Sequence, residues 1–141
     1  MKICGIDLSS NDAVICLLEQ GRGEFNLPDC RVRKLTLIKN HVTEDLRQFK
    51  FEFAKLMRDY SVDRVVIRER MPKGKFAGGA ISFKLESAIQ LIADLDVILL
   101  TPTQIKSALS ENPIPVKFSE TGLKAFQEVA FKTAYAAYKL D

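Results

Sequence analysis

The sequence predicts an α/β domain in which a mixed, five-stranded sheet is covered by helices. Three observations carry that prediction. Short apolar and β-branched runs come first, close together and separated by turn residues. Later runs of the same kind alternate with stretches whose apolar residues recur every three or four positions. The chain has 141 residues, which suits one core, so a single domain spanning 1–141 is expected.

Ile3 to Leu8 is a short apolar run that contains an acid near its end, Asp7, and reads as a buried strand. Ser9-Ser10-Asn11-Asp12 is turn chemistry, and Ala13 to Leu18 is a second strand. The two form a hairpin. After the turn at Gly21-Arg22-Gly23 and the break at Pro28, a third strand is expected between Arg31 and Ile38. Thr43 then reads as a helix N-cap, followed by Glu44 and Asp45 in the first turn. Leu46, Phe49, Phe53, Leu56, Met57 and Tyr60 form one apolar stripe of that helix. A fourth strand, Asp63 to Glu69, carries the β-branched run Val65-Val66-Ile67 and is stopped by Pro72. Ile81, Leu85, Ala88, Ile89 and Ile92 line a second helix. Asp96 to Thr101 is a fifth strand, and Thr103 to Leu109 a short helix. Ser119 is the expected cap of a final helix running to Lys139. Right-handed crossovers place the fourth strand beside the first and parallel to it, which gives the order 3-2-1-4-5.

No stretch approaches the roughly 20 apolar residues that a membrane helix needs, so no membrane partner is expected. The segment from Met1 to Asp7 has no long apolar run and no small-residue cleavage site. Cys4, Cys16 and Cys30 are odd in number and lack CxxC spacing, which argues against disulfide and zinc scaffolds. A cytoplasmic protein with reduced thiols is the resulting expectation. His41 is the only histidine, so histidine-rich metal sites are excluded. Lys73-Gly74-Lys75 lacks the order of a phosphate-binding P-loop, and no GxSxG elbow is present.

Charge is concentrated in one place. Between Arg64 and Lys84 lie six cations (Arg64, Arg68, Arg70, Lys73, Lys75 and Lys84) and one acid, Glu69. That is a local charge of +5 in a chain whose net charge is +3. A basic, glycine-bearing segment on a nearly neutral body predicts a nucleic-acid backbone, DNA or RNA, as the partner of Arg68, Arg70, Lys73, Lys75 and Lys84. The plainer reading of the same segment is a solvated loop. Gly78-Gly79-Ala80 could also let a helix pack closely, on the sheet or on a second copy in a homodimer.

Cys4-Gly5-Ile6-Asp7 followed by a hairpin resembles the opening of Holliday-junction resolvases and other ribonuclease H-like enzymes. Val65-Val66-Ile67-Arg68-Glu69 resembles their fourth strand, which ends in a catalytic glutamate. The run from Glu69 to Ala80 resembles more closely a small bacterial family of unknown function that shares the fold. The resemblance implies a ribonuclease H-like domain and a metal-dependent nuclease, a phosphodiester hydrolase acting on nucleic acid. It also implies that Asp7 and Glu69 hold Mg²⁺ or Mn²⁺. Glu128 stands near the position of a further helix acid in the resolvases, and is the implied third catalytic residue. The sequence departs from them one turn later, where Phe131 replaces a second helix acid; Glu120 and Glu52 are weaker substitutes. Glu128 also falls almost opposite the apolar face set by Leu123, Ala130, Ala134 and Ala137. The alternative is therefore a non-catalytic nucleic-acid-binding or homodimeric scaffold domain with an incomplete acidic site.

Overall fold

The computed structural model describes residues 1–37, 42–74 and 78–140. Two long strands open the chain, β1 (Lys2–Ser9) and β2 (Asp12–Gln20). They pair antiparallel from Lys2 opposite Glu19 to Ser9 opposite Asp12. The connecting turn uses Ser10 at φ 56°, the left-handed conformation that a tight hairpin demands. Two short strands then lie along the outer edge of β2. β3 (Phe25–Asn26) pairs with its last residues, and β4 (Lys34–Thr36) with its first. The helix α1 (Thr43–Asp59) leads into β5 (Arg64–Arg68), α2 (Ala80–Gln90), β6 (Asp96–Leu100) and α3 (Pro102–Glu111). Two 3₁₀ turns, Phe118–Glu120 and Ala125–Gln127, precede the last helix α4 (Glu128–Leu140).

The sheet runs β3-β2-β1-β5-β6, with β4 also on β2. β1, β5 and β6 are parallel to one another. The expected order is therefore recovered, with one more strand than expected. The addition is the two-residue β3, which the break at Pro28 concealed. The strand expected over 31–38 narrows to Lys34–Thr36, and its last residue, Ile38, lies outside the described residues.

Two helix starts differ from the sequence reading. Thr43 is the first residue of α1 and not its cap; Val42 takes that place, and its backbone N–H donates to the Asp45 carboxylate at 3.3 Å. Ser119 caps no helix: it lies inside a 3₁₀ turn whose cap is Lys117, and Gly122 at φ 78° breaks the chain direction before α4 can begin. Thr101, by contrast, caps α3 through a reciprocal pair. Its hydroxyl accepts the Gln104 N–H at 3.0 Å, and its own N–H donates to the Gln104 side chain at 2.9 Å.

Side-chain alternation sends each strand into two cores. Cys4, Ile6 and Leu8 of β1, with Val65 and Ile67 of β5, meet Phe53 and Met57 of α1 and Leu85 and Ile89 of α2. Ile3, Val66 and alternate residues of β2 meet α3 and α4 on the other face. Gly5 sits under α4. A Cβ there would collide with the Ala130 carbonyl and would lie 2.8 Å from the Ala134 side chain. The absence of a side chain lets the helix rest on the strand backbone. Gln127, 4% exposed, fastens the start of α4 by donating to the Ile15 carbonyl at 2.9 Å. Among the described residues no helix is long and apolar enough to cross a membrane.

A methyl group at position 5 has no room to form without moving α4. Gly5→Ala is expected to lower stability by about 3 kcal/mol, read from the urea midpoint at constant slope. A loss near zero would show that α4 is free to retreat from β1.

Candidate functional site

β1 and β5 are in parallel register, with Ile6 beside Ile67. One step further along both strands sets Asp7 beside Arg68. These positions lie toward the C-terminal edge of the sheet, where α/β folds bind their ligands. Alternation decides which face each side chain takes. Asp7 follows Ile3 and Gly5 toward α4, and Arg68 follows Val66 to the same face. Glu69 follows Val65 and Ile67 toward α1 and α2. Its N–H still donates to the Leu100 carbonyl at 2.9 Å, so the ladder with β6 reaches this residue.

Asp7 is half-buried, and burial pushes its carboxyl above the usual aspartate range. The guanidinium charges of Arg68 and Arg70 pull it partway back. The charged neighbours that act on Asp7 are thus cations of the basic segment. Glu69 has a different companion, Glu86 of α2. Glu86 is only 8% exposed, and its carboxylate accepts the backbone N–H of Arg70 at 2.9 Å. Burial raises its carboxyl most, and the bond from Arg70 lowers it. The nearby Glu69 charge raises it again, and the Arg70 charge lowers it.

Glu86 is the site residue that the sequence reading missed. A signal was present. Ser82 and Glu86 are four residues apart, so they form a polar flank beside Ile89 on an otherwise apolar arc. Both are buried. The Ser82 hydroxyl donates to the Gly79 carbonyl at 2.6 Å and lies 3.3 Å from Arg70 Nε, which donates to it. Gly78 lies directly against this pair; a Cβ there would come within 2.6 Å of Arg70 Nε and 2.8 Å of Ser82 Oγ. The need for glycine at position 78 is therefore met inside the chain. The Gly78 N–H, donating to the Met71 carbonyl at 2.8 Å, closes the base of the basic loop.

The remaining candidates are dispersed. Glu128 opens α4 and is ion-paired to Lys132 at 3.2 Å. Phe131 is 1% exposed and packs among the rings of Phe25, Phe118 and Tyr135. Glu52 is exposed on α1 and accepts from the Gln48 amide. The Glu120 carboxylate accepts the Lys117 N–H of its own 3₁₀ turn. Lys73 is exposed in the basic loop, whereas Lys84 is exposed on α2 and borders the groove between α1 and α2. Lys75 and His41 lie outside the described residues.

Among the described residues no group of three or more His, Cys, Asp or Glu side chains is arranged to hold a metal ion. The trio Asp7, Glu69 and Glu128 does not fit such a role. The first two leave the sheet on opposite faces, and the third is engaged by Lys132. Among the described residues, Glu69 lies near enough to Glu86 for its charge to raise that carboxyl. Such a pair suits one hard cation whose other ligands are water and phosphate oxygens.

The raised carboxyls fix the sign of a pH effect. Holding Asp7 and Glu86 ionised costs the folded state free energy, so their contribution is most favourable below the ordinary carboxylate range. It is lost as pH rises through their raised values. Asp7→Asn and Glu86→Gln should each gain stability relative to the wild type on going from pH 4 to pH 7. Glu86→Ala should instead lose about 1–2 kcal/mol at both pH values, because the Arg70 N–H loses its acceptor. Urea melts of the three variants at the two pH values check this.

With the geometry in hand, the chain can be set beside known proteins. It superposes on the Thermus thermophilus RuvC structure with a TM-score of 0.74 at 13% identity, covering 99% of this chain and 94% of that one. It superposes on T. thermophilus RuvC in complex with Holliday junction substrate with a TM-score of 0.70 at 14% identity, covering 99% and 93%. The yeast mitochondrial Holliday junction resolvase Ydc2 gives 0.60 at 9% identity, covering 97% and 75%. At these identities the likeness is one of fold, and the fold is ribonuclease H-like. No curated protein matches the chain. A family model described as Protein of unknown function (DUF3010) matches residues 1–137, and the chain belongs to that family.

Proposed function

We propose that the chain acts as one domain that binds the phosphate backbone of nucleic acid across the C-terminal edge of its sheet. The substrate class that the fold favours is branched DNA. One observation supports this reading above the others: the charges of Arg68 and Arg70 act on the half-buried Asp7 at the sheet edge, beside a basic segment, on a fold shared with proteins that handle Holliday junctions. Arg68 and Lys73, with Lys75, contribute charge to the phosphates. Arg70, held by Ser82, is positioned by the protein and contributes a fixed cation. Phosphate contacts of this kind give affinity and register without reading sequence.

A second reading, metal-dependent cleavage of the bound strand, is favoured by the Glu69–Glu86 pair. Mg²⁺ or Mn²⁺ bound there would polarise a phosphoryl oxygen and acidify a bound water. In that case Glu69 and Glu86 hold the ion. Asp7, with the charges of Arg68 and Arg70 acting on it, then lies outside the ion's ligands.

The test is binding of a four-way DNA junction, a duplex and a single strand, followed by fluorescence anisotropy over a salt series. Affinity should fall steeply with salt. Arg68→Ala and Lys73→Ala should each reduce the slope of log affinity against log salt by about 1. No salt-sensitive binding to any of the three nucleic acids would overturn the proposal. Adding Mg²⁺ or Mn²⁺ to the same complexes separates the two readings. Cleavage that Glu69→Gln abolishes in a folded variant supports the second, and intact strands in a tight complex support the first.

A further inference from the structure

The helices α1 and α2 leave a groove between them, about 450 Å³ in volume, on the side of the sheet away from α4. Its floor is apolar, made by Leu46 of α1 with Phe83 and Leu91 at the α2 side. Leu91, the residue that ends α2, is 73% exposed, so a large aliphatic side chain stands in solvent at the groove's end. Arg47, Lys50 and Lys84 line the same groove, and no acidic side chain does. Arg47 bonds the exposed Glu44 at 3.4 Å, whereas neither Lys50 nor Lys84 has an acidic partner among the described residues. A groove of this size falls within the range of ligand sites, and its apolar floor with a cationic rim defines a complementary occupant.

We propose that the α1–α2 groove docks an acidic peptide segment of a partner protein, with large apolar side chains on the floor and carboxylates on Lys50 and Lys84. Charge decides between this occupant and the alternatives. A second copy of the chain meeting groove to groove would place Arg47, Lys50 and Lys84 against their own equivalents, and like charges in apposition oppose association. A nucleic-acid backbone would satisfy the lysines but would leave Leu46, Phe83 and Leu91 facing phosphates, which bury no apolar surface. A helix or strand carrying both acids and apolar residues satisfies both parts of the groove, in the manner of helix-in-groove recognition. The site is separate from the sheet edge bearing Asp7 and Glu69, so it leaves the nucleic-acid interface free while a partner is held.

The experiment is selection of a displayed library of random short peptides against the intact protein. Binding of the enriched peptides is then measured by fluorescence anisotropy. Enriched sequences should combine acidic with leucine or aromatic residues. Their affinity should fall about ten-fold in Lys50→Glu/Lys84→Glu and in Leu91→Ser, and should decline with added salt. All three substituted side chains are accessible to solvent, and circular dichroism melts confirm that the variants fold. The proposal is overturned if the enriched peptides lack acids, or if their binding ignores both variants. It is equally overturned if sedimentation shows self-association that Leu91→Ser abolishes, or if a DNA duplex displaces the peptides at matched ionic strength. A reduced salt slope of DNA binding in Arg68→Ala with peptide binding intact would keep the two surfaces distinct.

Discussion

The contact between Gly5 and α4 is the constraint on which the arrangement depends. β1 is the central strand of the sheet, paired on both sides, so it cannot shift to accommodate a helix. α4 can approach it because residue 5 has no side chain, and the Ala130 backbone occupies the space. Gln127 fixes the helix start by its bond to β2. Alternation along β1 then leaves little freedom: a strand with Gly5 under α4 must turn Asp7 to that same face two residues later. The environment of the acid is thus set by packing at a different residue.

The sheet also separates charge. Arg68 and Glu69 are consecutive, yet their side chains belong to different sides, one with Asp7 and one with Glu86. Arg70 is the link between the sides. Its guanidinium acts on Asp7, its backbone N–H is bonded to Glu86, and its side chain lies on Gly78 and Ser82. Asp7 and Glu86 therefore each have a cation or a hydrogen-bond donor close by, which tempers burial without cancelling it.

Much of this could be read from the residues, for identifiable reasons. The parallel pairing of β1 and β5 followed from a helix lying between two β-branched runs, and the position of Asp7 and Glu69 at the sheet edge followed from that. Their separation by face was legible only in part. Strand parity already set Arg68 and Arg70 apart from Glu69, but the face that Asp7 takes follows from Gly5 lying under α4, a tertiary contact that sequence alone does not show. Glu86 escaped notice because a single acid on a helix reads as surface. Its burial comes with the chain that follows β5, whose Arg70 N–H reaches its carboxylate, a tertiary event. Strand β3 escaped because two residues carry no periodicity, and its Phe25 is placed by the Tyr135 ring, 5.3 Å away between centroids and more than 100 residues later in the chain.

The divided cover on β2 has a consequence for how the molecule behaves in a crowded solution. An exposed sheet edge is a template on which another chain can add a strand. Here β3 occupies one end of the β2 edge and β4 the other. Between them, Ile15 bonds the Arg33 carbonyl through its N–H and Gln127 through its carbonyl. An intruding strand would have to displace two separate segments before it gained a run of bonds long enough to hold. The broken edge, formed from pieces too short to be stable alone, leaves no continuous run of free bonds along β2 for another strand to pair with.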